Sequence, residues 1–125
     1  MSWDIFIFNS TQKIESVENI EVECFIPIDF NEILVSYFEN IEINDNSRRI
    51  ISENYSIEYF ISSKTEGNLM LSLYGENALF ELIRISKIHN WQIFDTGNGE
   101  MIDLENPRKN GYENFQIYLQ QVIKN

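Results

Sequence analysis

The chain has 125 residues and a formal net charge of −11 at pH 7, with 20 Asp and Glu against 9 Lys and Arg. Its length fits one globular domain, residues 1–125, and a hydrophobic content of 43% excludes a disordered chain. The acidity disfavours nucleic acid and anionic membranes as partners, and the single cysteine excludes an internal disulfide framework.

The N-terminal residues show neither the basic region nor the apolar region of a signal peptide. No apolar run reaches the roughly 18 residues that a membrane-spanning helix needs. We therefore expect a soluble cytoplasmic protein.

The acidic residues are concentrated in the first half of the chain. Residues 1–66 contain 13 acidic and 4 basic residues, whereas residues 67–125 contain 7 and 5. Between Glu15 and Asp45 there is no Lys or Arg. A segment of one sign attracts basic surfaces, so this acidic segment is the clearest indication of a partner. Its nine carboxylates are Glu15, Glu18, Glu21, Glu23, Asp29, Glu32, Glu39, Glu42 and Asp45.

The first predicted element is a strand over residues 3–8, which are nearly all apolar or aromatic and are expected in the centre of a sheet. Residues 10–28 have no sustained period and predict a long loop, with a short extended piece at 22–26.

An amphipathic helix is predicted next. Asp29 and Glu32 have capping-box spacing, and apolar residues follow at helical intervals from Phe30 to Ile41. The opposite face of this helix would carry Glu32, Glu39 and Glu42.

The middle of the chain predicts an antiparallel hairpin. A strand is indicated from residue 48 to 52, and residues 55–61 alternate between apolar and polar side chains. A polar turn separates them from an apolar strand over residues 69–74.

A helix over residues 76–90 and a second hairpin follow. Residues 91–96 and 100–104 are joined by an Asn-Gly turn. Strand alternation places Asp95 and Glu100 on one face beside this turn, and Ile93 with Ile102 farther away on the same face.

A final helix is predicted from the cap-like pair Asn110 and Glu113. Its apolar face would carry Tyr112, Phe115, Leu119, Val122 and Ile123. The predicted fold class is α+β, a single antiparallel or mixed sheet with helices packed on it in the order β-α-β-β-α-β-β-α. Its first six elements have the order of a ferredoxin-like topology.

Both ends of the chain carry a spaced pattern. It consists of Met1-Ser2-Trp3-Asp4-Ile5 and then Trp91, Asp95, Gly99, Ile102-Asp103-Leu104, Asn106-Pro107, Gly111-Tyr112 and Phe115. The pattern resembles that of a family of small uncharacterised bacterial proteins that begin MSWD and end in W…D…G…DL.NP…G[WY]..F. Residues 44–49 depart from it, because the family often has a Trp-Gly-containing segment there. The resemblance implies one bacterial domain and no particular activity.

Four acidic residues lie near the second hairpin and are candidates for a catalytic or metal site. Asp95-Thr96-Gly97 matches the tripeptide of aspartic proteases, but these enzymes need two such aspartates and the chain has one. We interpret Asp95 as a turn residue and Asp103 as an acceptor for backbone N–H groups of residues 106–111. Asp95, Glu100, Asp103 and Glu105 lack EF-hand spacing, so no metal and no cofactor are predicted.

The remaining candidates for catalysis are single residues. His89 is the one histidine and is interpreted as a helix-end residue that suits the helix dipole. Cys24 lies among acidic residues, which disfavour a reactive thiolate. The chain has no Gly-rich phosphate loop, and the basic pairs at 48–49 and 108–109 are isolated. No catalytic constellation is found, so an enzyme is not expected.

The sequence favours a non-enzymatic interaction protein, most concretely an immunity-type inhibitor of a basic toxin. One alternative is a small-molecule-binding protein or enzyme with a pocket formed by Trp3, Trp91, Asp95 and Glu100. Another is a structural or oligomeric component; the sequence does not determine the oligomeric state. The residues predicted to contact a basic partner are Glu18, Glu21, Glu23, Glu32, Glu39 and Glu42.

Overall fold

The computed structural model describes residues 2–123, which form one antiparallel sheet of seven strands and three α-helices. The α+β class predicted from the sequence is confirmed, but the predicted element order was wrong, because four strands rather than two lie between the first two helices. In chain order the elements are β1 (Ser2–Phe8), α1 (Phe30–Val35), β2 (Ile41–Asn44), β3 (Ser47–Ile51), β4 (Ser56–Phe60), β5 (Asn68–Tyr74), α2 (Glu76–His89), β6 (Gln92–Asp95), β7 (Glu100–Met101) and α3 (Phe115–Ile123). Within this described part, no helix is long and apolar enough to cross a bilayer.

The strands lie in the order β2-β3-β4-β5-β1-β6-β7. β1 is central, as predicted, because it pairs with β5 on one side and with β6 on the other. The two predicted hairpins are also present, as the β4–β5 and β6–β7 ladders. In the second of these, Asp95 is paired with Glu100, which confirms the predicted alternation.

The two faces of the sheet differ in what covers them. On the face that we call the helix face, Ile5 and Ile7 of β1 are fully buried and belong to the main hydrophobic cluster. Buried residues of all three helices join this cluster, among them Leu34, Leu82 and Phe115. The opposite face, which we call the open face, carries the alternate residues of each strand.

α2 confirms the predicted helix over residues 76–90. It ends at Asn90, which adopts the left-handed conformation with φ of 60°. Gly75 precedes the helix at φ of 96°, and a Cβ added there would lie 2.9 Å from the carbonyl oxygen of Asn54. A side chain at position 75 would therefore be strained both by its backbone and by this contact.

The first helix is much shorter than predicted. Asp29 caps α1 by accepting a hydrogen bond from the Glu32 N–H at 3.0 Å, but the helix ends at Val35 rather than near residue 41. The Ser36 hydroxyl donates to the carbonyl of Ile33 at 2.6 Å and satisfies one of the terminal acceptors. Residues 41–44 then form β2, because pairing with β3 satisfies their backbone groups within the sheet.

Two further boundaries were wrong. The extended piece predicted at residues 22–26 is shorter, because Val22–Cys24 forms a 3₁₀ turn and Phe25 alone bridges to Ser10. A second 3₁₀ turn precedes it at Val17–Asn19. Asn110 ends a 3₁₀ turn, Pro107–Asn110, and does not begin the last helix, which starts at Phe115. The Asn110 amide instead donates to the Glu100 carboxylate and the Met101 carbonyl, at 2.9 and 3.0 Å. The predicted roles of the Val122 and Ile123 side chains lie outside the part that is described.

Candidate interaction surface

A structured loop carries four carboxylates of the acidic segment. We call residues 10–26 the acidic loop. The Gln12 side chain accepts from the Glu21 N–H at 2.8 Å and donates to the Asn19 carbonyl at 2.6 Å, which closes the loop on itself. Gln92 of β6 donates to the Gln12 carbonyl and accepts from the Ile14 N–H, both at 2.8 Å. These bonds join the loop to the sheet across 78 to 80 residues of chain.

The same loop covers one end of the open face. Phe25 packs on Phe8 with 5.6 Å between ring centroids, and Asn9 exchanges backbone and side-chain hydrogen bonds with Ile26. A Cβ added to Gly67 would lie 2.5 Å from the Cβ of Phe25. The absence of a side chain at Gly67 therefore permits the loop to approach the sheet this closely.

All nine carboxylates of the acidic segment are exposed. Residues 2–123 contain four ion pairs, Arg49–Glu58, Arg84–Glu81, Lys87–Glu105 and Lys109–Asp103. Each of them uses an acidic residue from outside this segment. No carboxylate of the segment therefore forms an ion pair in the described part of the chain, although Glu42 lies opposite Arg49 on the neighbouring strand.

The six predicted contact residues occupy several elements. Glu18, Glu21 and Glu23 lie together on the acidic loop, and Glu32 lies in the first turn of α1. Glu39 and Glu42 were predicted on the same helix as Glu32, and this was wrong. Glu39 lies between α1 and β2, and Glu42 lies in β2 on the open face, opposite Arg49 of β3.

The alternative pocket is present only in part. Trp3 and Asp95 line one shallow cleft together with Glu76, Gly97, Asn98, Gly111 and Tyr112. Trp91 lies at the other end of β6, where its ring stacks on His89 and meets Phe30 edge-on, each at 5.0 Å. Glu100 is exposed and accepts a hydrogen bond from Asn110.

Asp95 is the centre of this cleft. It is 1% exposed, and its carboxylate accepts hydrogen bonds from the Gly97 N–H at 2.9 Å and from the Tyr112 hydroxyl. Burial and the neighbouring carboxylate of Asp95 raise the pKa of Tyr112. The bond to Gly97 matches the predicted turn role of Asp95. The sequence did not predict the contact with Tyr112, because the two residues are 17 positions apart and their contact depends on the path of the chain between them.

Asp103, His89 and Cys24 each contact a neighbouring group. Asp103 accepts from the N–H groups of Glu105 and Asn106 at 3.0 and 3.1 Å, so its predicted role in holding the following loop is confirmed for Asn106. His89 is the last residue of α2, as expected, and its Nε2 is 2.7 Å from the Tyr37 hydroxyl. The Cys24 thiol lies 3.4 Å from the Glu21 carboxylate.

Among residues 2–123, no group of three or more His, Cys, Asp or Glu side chains is arranged to hold a metal ion. Comparison with protein-family models, with curated proteins and with solved structures gives no match to this chain.

Proposed function

We propose that this protein is a non-enzymatic interaction module that binds a basic protein, most concretely an immunity-type inhibitor of a basic toxin in the bacterial cytoplasm. The observation that carries the proposal is the charge state of the acidic segment. Its nine carboxylates are exposed, and none forms an ion pair within residues 2–123. The bacterial origin rests on the family resemblance at the two ends of the chain.

Unpaired surface carboxylates act mainly on the rate at which a partner arrives. Complementary charge raises association rates by orders of magnitude at low ionic strength, and this effect weakens as salt screens the field. Glu18, Glu21 and Glu23 are the strongest candidates, because the loop that presents them is fixed to the sheet by the Gln12 and Gln92 hydrogen bonds. A fixed loop loses little conformational entropy on binding.

We also propose a ferredoxin-like core for the sheet. β5 and β6 are both antiparallel to β1, which lies between them, so β5, α2 and β6 form a split β-α-β unit. β1 and β4 are related in the same way across β5. In this proposal the β2–β3 hairpin and β7 extend the core at its two edges.

A pull-down at low and high salt tests the proposed function. The immobilised protein should retain a basic protein from cells of its own species at low salt and release it at high salt. Replacing the six predicted contact residues with Lys should slow association strongly and leave the folded state intact.

A matched pair of variants controls for net charge. Glu18→Lys, Glu21→Lys and Glu23→Lys on the loop change the charge by the same amount as Glu53→Lys, Glu100→Lys and Glu113→Lys elsewhere, and all six positions are exposed. The loop variant should lose more association rate than the distant one. Equal losses would show that only total charge matters, and capture of acidic proteins alone would refute the proposed function.

A second candidate function, small-molecule binding or catalysis, rests on the Asp95 cleft. Its volume is about 470 Å³, and the buried Nε1 of Trp3, which lines it, has no hydrogen-bond partner in the described part of the chain. Thermal shift against a small-molecule collection that includes Mg²⁺ and Ca²⁺ tests this candidate. A stabilisation that Asp95→Asn abolishes would favour it over the interaction module.

A further inference from the structure

The open face of the sheet carries a continuous row of large apolar side chains. Phe6 of β1 is paired with Met70 of β5 and with Phe94 of β6, and Phe94 is paired with Met101 of β7. Extending the β4–β5 register by two residues places Phe60 beside Met70. We call these five residues the open-face stripe. Paired residues on neighbouring strands lie side by side, so the stripe crosses five strands.

The stripe is accessible to solvent. Phe60 is 69% exposed and Met70 is 44% exposed, while Phe6, Phe94 and Met101 are half-buried. The buried residues of all three helices belong to the cluster on the opposite face. A row of Phe and Met side chains on one face of a soluble domain is typical of a protein interaction site.

An acidic row lies on one side of the stripe, and the acidic loop packs on the other. The next row of the open face consists of Asp4, Ser72, Glu58, Arg49 and Glu42, which are paired in that order across five strands. It contains three carboxylates and one guanidinium, and Arg49 bonds to Glu58 at 3.4 Å. On the other side, the acidic loop packs over Phe8 through Phe25.

The charges around the stripe determine which kind of molecule can bind to it. An apolar centre with a charged rim matches the anatomy of protein interfaces, and the rim requires complementary charge. A second copy of this chain would bring the same acidic rim and another net charge of −11, so like charges would oppose self-association. Single-stranded nucleic acid could stack on Phe6 and Phe94, but its phosphates would meet the same carboxylates.

We propose that the open-face stripe docks a basic amphipathic segment of a partner protein. Apolar side chains of that segment cover Phe6, Met70 and Phe94, and its Lys or Arg side chains face Asp4, Glu42 and the acidic loop. The inference rests on the proposed function and specifies its contact surface. The acidic loop attracts the partner, and the stripe retains it.

A labelled peptide of alternating Lys and Leu is the probe, and an all-Lys peptide of the same charge is its comparison. Binding is measured by fluorescence anisotropy at low and high salt. Phe60→Ser combined with Met70→Ser removes the two most exposed members of the stripe. Ile88→Ser combined with Ile117→Ser is the matched control, because these helix residues are 64% and 56% exposed. Thermal unfolding confirms that each variant is folded.

The Lys-Leu peptide should bind more tightly than the all-Lys peptide, and the stripe variant should weaken it about tenfold while the control changes it by less than about twofold. Equal binding of both peptides, or an unchanged stripe variant, would overturn the stripe as the docking surface. In that case the loop variant Glu18→Lys, Glu21→Lys and Glu23→Lys would decide about the proposed function. If the loop variant abolished binding, the proposed function would stand and only the stripe would be rejected.

Two further results would point to no basic partner or to a second copy of the chain. If neither basic peptide bound at low salt, the proposed function and the stripe would both fail. If light scattering showed a dimer that the stripe variant converts to a monomer, a second copy would be the occupant, and the basic-segment assignment would be wrong.

Discussion

Asp95 and Tyr112 form a buried polar contact that can be tested by a single-atom change. Tyr112→Phe removes the hydroxyl that donates to the Asp95 carboxylate, which is 1% exposed. A buried acceptor that loses its donor is destabilising, so we expect the free energy of unfolding to fall by about 1–3 kcal/mol. Urea denaturation measures the change.

The control for this substitution is Tyr74→Phe. Tyr74 is half-buried at the end of β5, and its hydroxyl has no hydrogen bond to the described residues. Its removal should change the stability by less than about 0.5 kcal/mol. Equal losses in the two variants would show that the hydrogen bond to Asp95 does not contribute.

Tyr59 should make stability depend on alkaline pH. Burial raises its pKa from the ordinary value of 10.0 to about 12, with a further contribution from Asp29 that Arg48 opposes. Between pH 10 and 12 the unfolded chain loses this proton while the folded chain keeps it. Stability is therefore fully present below pH 10 and falls as the pH rises through this range, by at most about 3 kcal/mol.

Tyr59→Phe should make this decline shallower. The variant also loses a hydrogen bond to Asn31, so its stability below pH 10 is lower than that of the unchanged protein. The informative quantity is therefore the slope of the unfolding free energy against pH. Tyr112 and Tyr118 have pKa values raised in the same direction, so some slope should remain. Parallel curves for the two proteins would contradict the assignment.

Contacts between distant residues set the limit of what the sequence could show of the candidate sites. Strand alternation correctly placed Asp95 on the same face as Glu100, because it depends on neighbouring positions alone. The contacts of Gln92 with Gln12 and Ile14 depend on how the loop folds back on the sheet. For the open face, the sequence offered one indication. Asp4, Phe6 and Phe8 occupy every second position of β1 and therefore lie on the same face of the sheet.

At the level of elements, α1 and α2 show when periodicity is sufficient. α2 has an apolar stripe over its whole length and clear ends at Gly75 and Asn90, and it formed as predicted. The segment after Asp29 has the same periodicity, but pairing of residues 41–44 with β3 prevents its continuation. Tertiary pairing overrides helix propensity where both are compatible with the sequence.

The cap of α1 predicts a measurable loss of stability. Asp29→Ala removes the acceptor for the Glu32 N–H, and an N-cap of this kind contributes about 1 kcal/mol. Glu39→Ala is the control, because Glu39 lies beyond the helix and is exposed. Its effect should remain below about 0.5 kcal/mol in chemical denaturation. A loss as large as that of Asp29→Ala would show that the effect of Asp29→Ala does not come from the helix cap.

Gly67 should control the position of the acidic loop. In Gly67→Ala the new Cβ would lie 2.5 Å from the Cβ of Phe25, so the loop must move away from Phe8. We expect faster hydrogen exchange at the Thr11 and Ile26 amides, whose bonds hold the base of the loop. Gly99→Ala is the comparison, because its φ of 68° strains any side chain while its Cβ meets nothing within 4 Å. It therefore separates a general loss of stability from displacement of the loop. Unchanged exchange in Gly67→Ala would refute this role.

The whole molecule combines a predictable fold class with a surface that periodicity does not reveal. Apolar patterns identified the hairpins and α2, and these place the core on the helix face. The distribution of charge over the surface follows from the path of the loop and from β2, which the patterns did not indicate. The acidic segment was predicted as one region and is spread over a loop, a short helix and an edge strand.

The net charge predicts that salt stabilises this protein. A charge of −11 with four ion pairs in residues 2–123 leaves carboxylates that repel one another more strongly in the folded chain than in the unfolded one. NaCl screens this repulsion, so the melting temperature should rise by roughly 5 °C and level off near ~0.3 M, where the screening length is only a few ångströms.

Replacing Glu18, Glu21, Glu23, Glu32, Glu39 and Glu42 with Gln should raise the melting temperature at low salt and reduce the salt effect. Removing Glu58, which is paired with Arg49, is the control and should not stabilise the protein. A melting temperature that falls with NaCl, or that rises without levelling off in both proteins, would show that charge repulsion is not the cause.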